Sequence, residues 1–231
     1  MTRRPRLLDL FCKAGGCSVG YHRAGFDVVG IDHEPQKHYP FEFHRLDWRE
    51  GLARFAGEVD VIHASPPCQA YSITNNMPNV SSAVHPDMVA DVRRALEASG
   101  KLWVIENVLG APLHCAALVC GLALGLGVKR HRYFEANIFL FGTTCPPGHK
   151  ASFLTIFGND VLERTGGKTW VTVCGGGAPA HKDGRRRATV AVARVAMGID
   201  WMTRDELSQA IPPAYTEFIG RQLIRAIEGA S

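Results

Sequence analysis

The sequence predicts an α/β fold built on a mostly parallel sheet, and three observations lead there. Short apolar runs alternate with stretches of helical period, and nearly every run ends in an acid, a glycine turn or a cluster of reactive side chains. The chain has 231 residues, 46% hydrophobic and 21% charged, which is enough apolar content to bury one compact core. Strands separated by helices pair in parallel because the crossover needs about a helix of chain.

Arg6 to Phe11 is an apolar run read as a buried strand, and it empties into Cys12-Lys-Ala-Gly-Gly-Cys17, a glycine turn before the helical stretch Ser18 to Ala24. Gly25 closes that helix. Asp27 to Asp32, Phe41 to Asp47 and Asp60 to Ala64 read as the second, third and fourth strands. Pro86 to Gly100 is an amphipathic helix with Met88, Val89, Val92 and Leu96 on one face, and Lys101 to Glu106 is a fifth strand. Arg132 to Phe141 suggests a further strand pair. From Thr143 to Arg187 the chain is rich in Gly, Pro and basic residues without clear period, and reads as an insertion or small subdomain. Thr203-Arg-Asp-Glu206 is a capping box opening one helix, and Ala214 to Glu228 forms the last after Pro212-Pro213. The expected organisation is a main domain over 1–142, an inserted segment over 143–187 and a helical part over 188–231 that completes the main domain.

Composition excludes several classes. With 26 Lys and Arg against 22 Asp and Glu, the formal charge of +4 is too small to make this a basic protein. Apolar stretches break within about ten residues, short of the roughly 20 that a membrane span needs. The basic start Met1-Thr-Arg-Arg-Pro-Arg6 runs into Asp9 and Lys13, so no secretory signal is expected. Seven scattered cysteines point to a reducing cytoplasm and not a disulfide scaffold. Cys145-Pro-Pro-Gly-His149, with Cys115 and Cys120 upstream, offers four zinc donors but no tight knuckle, and no metal is expected.

In an open parallel sheet, ligands sit beyond the carboxyl ends of the strands. Gly15 and Gly16 lie at the first such end, although a turn that merely needs positive φ explains them as well. Asp32, ending the second strand, could accept from ribose hydroxyls. The sharper signal is Ser65-Pro-Pro-Cys-Gln69 after strand four, followed by Glu106-Asn-Val108 and Arg130-His-Arg132. A structural cysteine, a surface acid and surface arginines are the bland readings. Against them, Cys68 stands in a rigid proline loop, and Glu106 follows Leu-Trp-Val-Ile, where desolvation would raise its pKa and suit it to act as an acid.

In order, Asp9-Leu-Phe-Cys-Lys-Ala-Gly-Gly16, Pro66-Pro-Cys-Gln69, Glu106-Asn-Val108, Arg130-His-Arg132 and the Pro212-Pro213 segment resemble the motifs of the cytosine-C5 DNA methyltransferases, and Gly25-Phe-Asp-Val-Val-Gly-Ile-Asp32 with Pro40-Phe-Glu-Phe43 resembles the short phage and bacterial members. The resemblance implies a Rossmann-like fold for S-adenosylmethionine (SAM), whose C-terminal helix returns beside the first loop, with a small inserted target-recognition segment. It implies catalytic roles for Cys68 as nucleophile, Glu106 as donor to the base, and Arg130 with Arg132 at its O2 edge. Cofactor contacts carry over to Phe11, Lys13, Gly15, Gly16, Asp32, His33, Asp47 and Pro66. DNA contacts fall to Gln69 and the basic cluster Lys182, Arg185, Arg186 and Arg187. The implied partner is duplex DNA with one cytosine flipped out, the enzyme a cytoplasmic monomer, in the bacterial host if phage-encoded.

Two departures from the pattern stand out. Val128 replaces a usual glutamine, and Lys13 replaces a usual glycine of the first loop. A lysine there opens a second reading, in which its ammonium pairs with the carboxylate of carboxy-SAM and the product is 5-carboxymethylcytosine. Methylation of tRNA cytosine, and a non-catalytic SAM- or DNA-binding decoy, are the remaining alternatives.

Overall fold

A computed structural model describes residues 3–68, 71, 87–128, 130–146, 162–165, 168–171 and 189–229. The main sheet contains β1 (Arg6–Leu10), β2 (Asp27–Asp32), β3 (Glu42–Arg45), β4 (Val61–Ala64), β5 (Leu102–Asn107), β6 (Ala117–Cys120) and β7 (His131–Ala136). Their order across the sheet is β3-β2-β1-β4-β5-β7-β6. The first five strands run parallel, while β7 is antiparallel to both β5 and β6. The order reverses between β1 and β4, the switch point where such sheets bind ligands.

The core is double because strand side chains alternate faces. Leu7, Val28, Val61, Val104 and Phe134 face one layer, where they meet Tyr21 and Phe26 from the α1 (Gly16–Ala24) region and Tyr215, Ile219 and Leu223 of α6 (Pro213–Gly229). Their neighbours Leu8, Val29, Ile62 and Ile105 face the other, against Trp48, Leu52 and Phe55 of α2 (Trp48–Phe55) and Val92 and Leu96 of α3 (Val89–Ala98). A third cluster joins Ala14 and Val128 to Ala193 and Met197 of α4 (Val190–Met197) and Leu207 of α5 (Arg204–Gln209). The hairpin of β8 (Leu162–Thr165) and β9 (Lys168–Val171) stands apart from the main sheet.

Close helix contact carries the C-terminal end back to the start of the chain. A Cβ on Gly16 would strike the carbonyl of Ile211, and one on Gly20 would strike the Thr216 hydroxyl and the Pro213 carbonyl. At Gly220 an added Cβ would lie 2.7 Å from that of Ala24. The Thr216 hydroxyl donates to the Cys17 carbonyl at 2.8 Å, and Trp201 Nε1 donates to the Ala14 carbonyl at 2.8 Å.

The capping box at α5 is present, with Thr203 and Glu206 bonded reciprocally. Several elements differ from the sequence reading. The partner of β7 is β6, upstream, and not the apolar residues 138–141, where Phe139 and Phe141 are exposed. Helices α2 and α4 were not anticipated, and the insertion contains a hairpin where no period was read.

Candidate active site at the carboxyl edge of the sheet

Because β7 runs antiparallel, its first residues lie on the same edge as the ends of β1, β2, β4 and β5. Ala64 pairs with Ile105, so the Ser65-Pro-Pro-Cys68 loop leaves the sheet beside Glu106 and Asn107. Asn107 Nδ2 donates to the Pro66 carbonyl at 3.0 Å, tying the cysteine loop to the next strand end. The Cys68 carbonyl accepts from Tyr71 N at 3.0 Å, and the residue itself is half-buried.

Glu106 is 5% exposed and lies 2.9 Å from Arg132 Nε. Burial pushes its carboxyl above the usual carboxylate range, with Arg132 and the Ser65 hydroxyl acting against that rise. The Arg132 contact is a close charge pair without hydrogen-bond alignment, which leaves a Glu106 oxygen free for another donor or proton. Arg132 also donates to the His131 carbonyl at 2.8 Å. Arg130 is placed differently: its Nη2 donates to the Ser208 carbonyl at 2.8 Å, and its own carbonyl accepts from Tyr215 OH at 2.7 Å. It fastens the C-terminal segment to the head of β7.

The first loop is tightly shaped. Phe11 and Lys13 have φ of 63° and 45°, a region that non-glycine residues rarely enter, and Gly15 has φ of 83° at the start of α1. The Phe11 ring lies 6.0 Å from that of Trp48. Asp32, 3% exposed, accepts from the backbone N–H groups of Lys13 at 3.1 Å and Glu34 at 3.0 Å, joining the loops after β1 and β2. Lys13 Nζ meets Glu34 at 2.8 Å and Asp32 at 3.8 Å, so its charge is already balanced by two carboxylates. The exposed His33 ring lies 3.4 Å from Asp32. Asp47 caps α2 by accepting from Arg49 N at 2.8 Å, and Pro66 is buried in the cysteine loop. Thus the loops bring Phe11, Lys13, Gly15, Gly16, Asp32 and His33 to one side of the switch point and Pro66, Cys68, Glu106 and Arg132 to the other. Gln69, Lys182, Arg185, Arg186 and Arg187 lie outside the described residues, as does His149.

Beneath this edge runs a buried polar group that sequence reasoning did not single out. Asp9 takes the Ser18 hydroxyl, Ser18 accepts from Tyr39 OH at 2.8 Å, and His63 lies between Tyr21 OH at 2.9 Å and Ser65 Oγ at 2.8 Å. Burial raises Asp9 to about 7 and lowers His63 to about 3, so the histidine rests neutral and the acid is shifted toward its protonated form. The signal in the sequence was an acid inside Leu7-Leu-Asp-Leu-Phe11 and a histidine inside Val61-Ile-His-Ala64.

The profile of the family described as C-5 cytosine-specific DNA methylase matches residues 5–114, which include Cys68 and Glu106. Among curated relatives, the type II methyltransferase M.AgeI of Thalassovita gelatinovora is 31% identical over 171 residues, covering 59% of this chain and 39% of that protein. M.FnuDI of Fusobacterium nucleatum is 27% identical over 112 residues, covering 46% of this chain and 33% of its own. The chain therefore spans well under half the length of these relatives. In fold, it is similar to an E. coli prophage-encoded protein described as a DNA modification methyltransferase, with a TM-score of 0.62 at 15% identity, covering 97% of this chain and 99% of that one. The S. pombe Dnmt2 methyltransferase gives a TM-score of 0.58 at 12% identity over 97% and 99% of the two chains.

Proposed function

We propose that the chain, whose residues 5–114 match the C-5 cytosine-specific DNA methylase family, methylates cytosine C5 in DNA from SAM through a covalent Cys68 intermediate. The observation that carries this reading is the tie between the Pro66-Pro-Cys68 loop and Asn107, which sets the thiol loop against the buried Glu106–Arg132 pair.

Cytosine C5 is a weak nucleophile. In the proposed reaction Cys68, having lost its proton, adds to C6, and the ring electron pair this displaces gathers at C5. Glu106 holds a proton toward N3 as charge develops in the ring, a role suited to a carboxyl whose burial favours the protonated form. Arg132 steadies that carboxyl and faces the O2 edge. Once C5 carries the new carbon, loss of its proton lets the Cys68 sulfur leave and the C5–C6 double bond re-form. The reacting carbons are stacked in a duplex, so the base enters flipped out.

SAM, when bound, supplies the electrophilic methyl group. The donor set fits it: the Gly15-Gly16 turn presents backbone at the end of β1 where the amino-acid end would lie, Asp32 is buried yet has carboxylate lone pairs left for ribose hydroxyls, and Phe11 offers a ring beside Trp48. His33, Asp47 and Pro66 are assigned to the same cofactor site, and Arg130 acts as a positioning residue through Ser208 and Tyr215. DNA contacts are assigned to Gln69 and to the 143–187 segment with Lys182, Arg185, Arg186 and Arg187, in a cytoplasmic monomer. Lys13 is already paired with Glu34, which favours ordinary SAM over carboxy-SAM.

Mass spectrometry of nucleosides from duplex DNA and from tRNA exposed to the protein tests the reading. 5-Methylcytosine in DNA, absent with Cys68→Ala, is expected. Product confined to RNA, or no product with either polymer, contradicts it. In competition between the two donors, wild type and Lys13→Gly should both yield methylcytosine. A carboxymethyl product that disappears in Lys13→Gly would restore the second donor.

A further inference from the structure

Cys120 ends β6 and stands in register with His131, which opens β7. After β7 the chain returns along β6: Thr143 N donates to the Leu118 carbonyl at 2.7 Å, and Thr143 Oγ1 accepts from Cys120 N at 2.8 Å. That return delivers Cys145, whose sulfur lies 3.2 Å from His131 Nε2 and shares a hydrogen bond with Cys120. The three donor atoms all lie within 4.8 Å of one another. Cys115 is exposed and outside this group.

We infer that Cys120, His131 and Cys145 together hold a zinc ion that clamps the chain leaving β7 to the β6–β7 edge. Tetrahedral zinc, with bonds of about 2.3 Å to sulfur and about 2.0 Å to nitrogen, sets its donors roughly 3.5–3.8 Å apart, so side-chain shifts of about 1 Å admit the ion. The donors come from three separate chain segments already held by backbone hydrogen bonds, the preorganisation a site needs. On binding, each thiol loses its proton to solvent and forms a sulfur–zinc bond, while the imidazole binds neutral. Two thiolates then offset the charge of the ion, which makes a neutral site compatible with a fully buried Cys120. The fourth position is left to water or another donor. Strand alternation puts His131 on the face opposite Arg132, so the clamp stands behind the candidate active site. It fixes the root of the 143–187 segment within a few residues of Arg130 and Arg132.

The test is metal analysis of tag-free protein, purified in reducing buffer without added metal. Wild type should carry about one zinc per chain through gel filtration with a weak chelator. Cys145→Ser should carry nearly none, with an unchanged far-ultraviolet circular dichroism spectrum, since Cys145 lies beyond the last strand of the sheet and is half-buried. Cobalt(II) exchanged into wild type should give a sulfur-to-cobalt charge-transfer band that Cys145→Ser lacks. Folded, reduced wild type with no more zinc than Cys145→Ser and no such band overturns the inference. So does an intact mass lower by two hydrogens, the mark of a Cys120–Cys145 disulfide.

Discussion

At the scale of single residues, the proposed chemistry divides between Cys68, assigned to bond the substrate, and Glu106, assigned to shift charge in it. Cys68→Ala should therefore abolish product while leaving SAM binding and thermal stability close to wild type, as isothermal calorimetry and a melting curve would show. Glu106→Gln should lower kcat by roughly 10²-fold or more and change DNA affinity far less, because its contribution lies in the transition state. Burial raises the Glu106 pKa, and the protonated form is the working one in the proposed reaction, so wild-type rate should fall as pH climbs through that raised value. Glu106→Gln carries no titrating proton, so a falling limb that survives in it would contradict the assignment. These two side chains were legible in the sequence as a thiol in a proline loop and an acid after an apolar strand. The ion pair with Arg132, and the separate placement of Arg130 on Ser208, were not, because Arg130 precedes β7 while Arg132 lies within it, and nothing local in Arg130-His-Arg132 marks where the strand begins.

At the scale of elements, the closeness of α1 and α6 decides whether the first loop has a floor. A methyl on Gly20 has no room against Thr216 and Pro213, so Gly20→Ala should destabilise the protein by about 1–3 kcal/mol in urea unfolding. A neutral result would mean that the two helices are not so tightly joined. The parallel strands, α1, α3 and the capping box of α5 could be read because their period or caps are local. Helix α2 also has helical spacing at Trp48, Leu52 and Phe55, but Gly51 in its middle reads as a break. That glycine is there because a Cβ would lie 2.7 Å from Ile31 Cγ2, a tertiary reason absent from the local sequence. Ala117 to Leu126 is apolar throughout and has neither period, so β6 could be assigned only once β7 gave it a partner.

At the scale of the whole molecule, the polar group under the site makes a linked pH prediction. Asp9, raised to about 7 from an unfolded value of 3.8, contributes stability below about 4 that is lost as pH rises to 7. His63, lowered to about 3 from 6.5, contributes stability above 6.5 that is lost as pH falls toward 3. Across pH 4 to 6.5 the two slopes oppose each other. Asp9→Asn should unmask the histidine and steepen the gain in stability with rising pH by up to about 1.4 kcal/mol per unit, measured by urea unfolding at several pH values. An unchanged slope would show that Asp9 does not hold its proton in the fold. Everything proposed about function converges on a covalent bond between Cys68 and cytosine. The most direct measurement is trapping on duplex DNA in which 5-fluorocytosine replaces cytosine, with SAM present and peptide mass spectrometry of the adduct. The account predicts a stable protein–DNA conjugate attached at Cys68 and lost in Cys68→Ala. No conjugate from folded, SAM-binding protein, or one attached at a different residue, would contradict it.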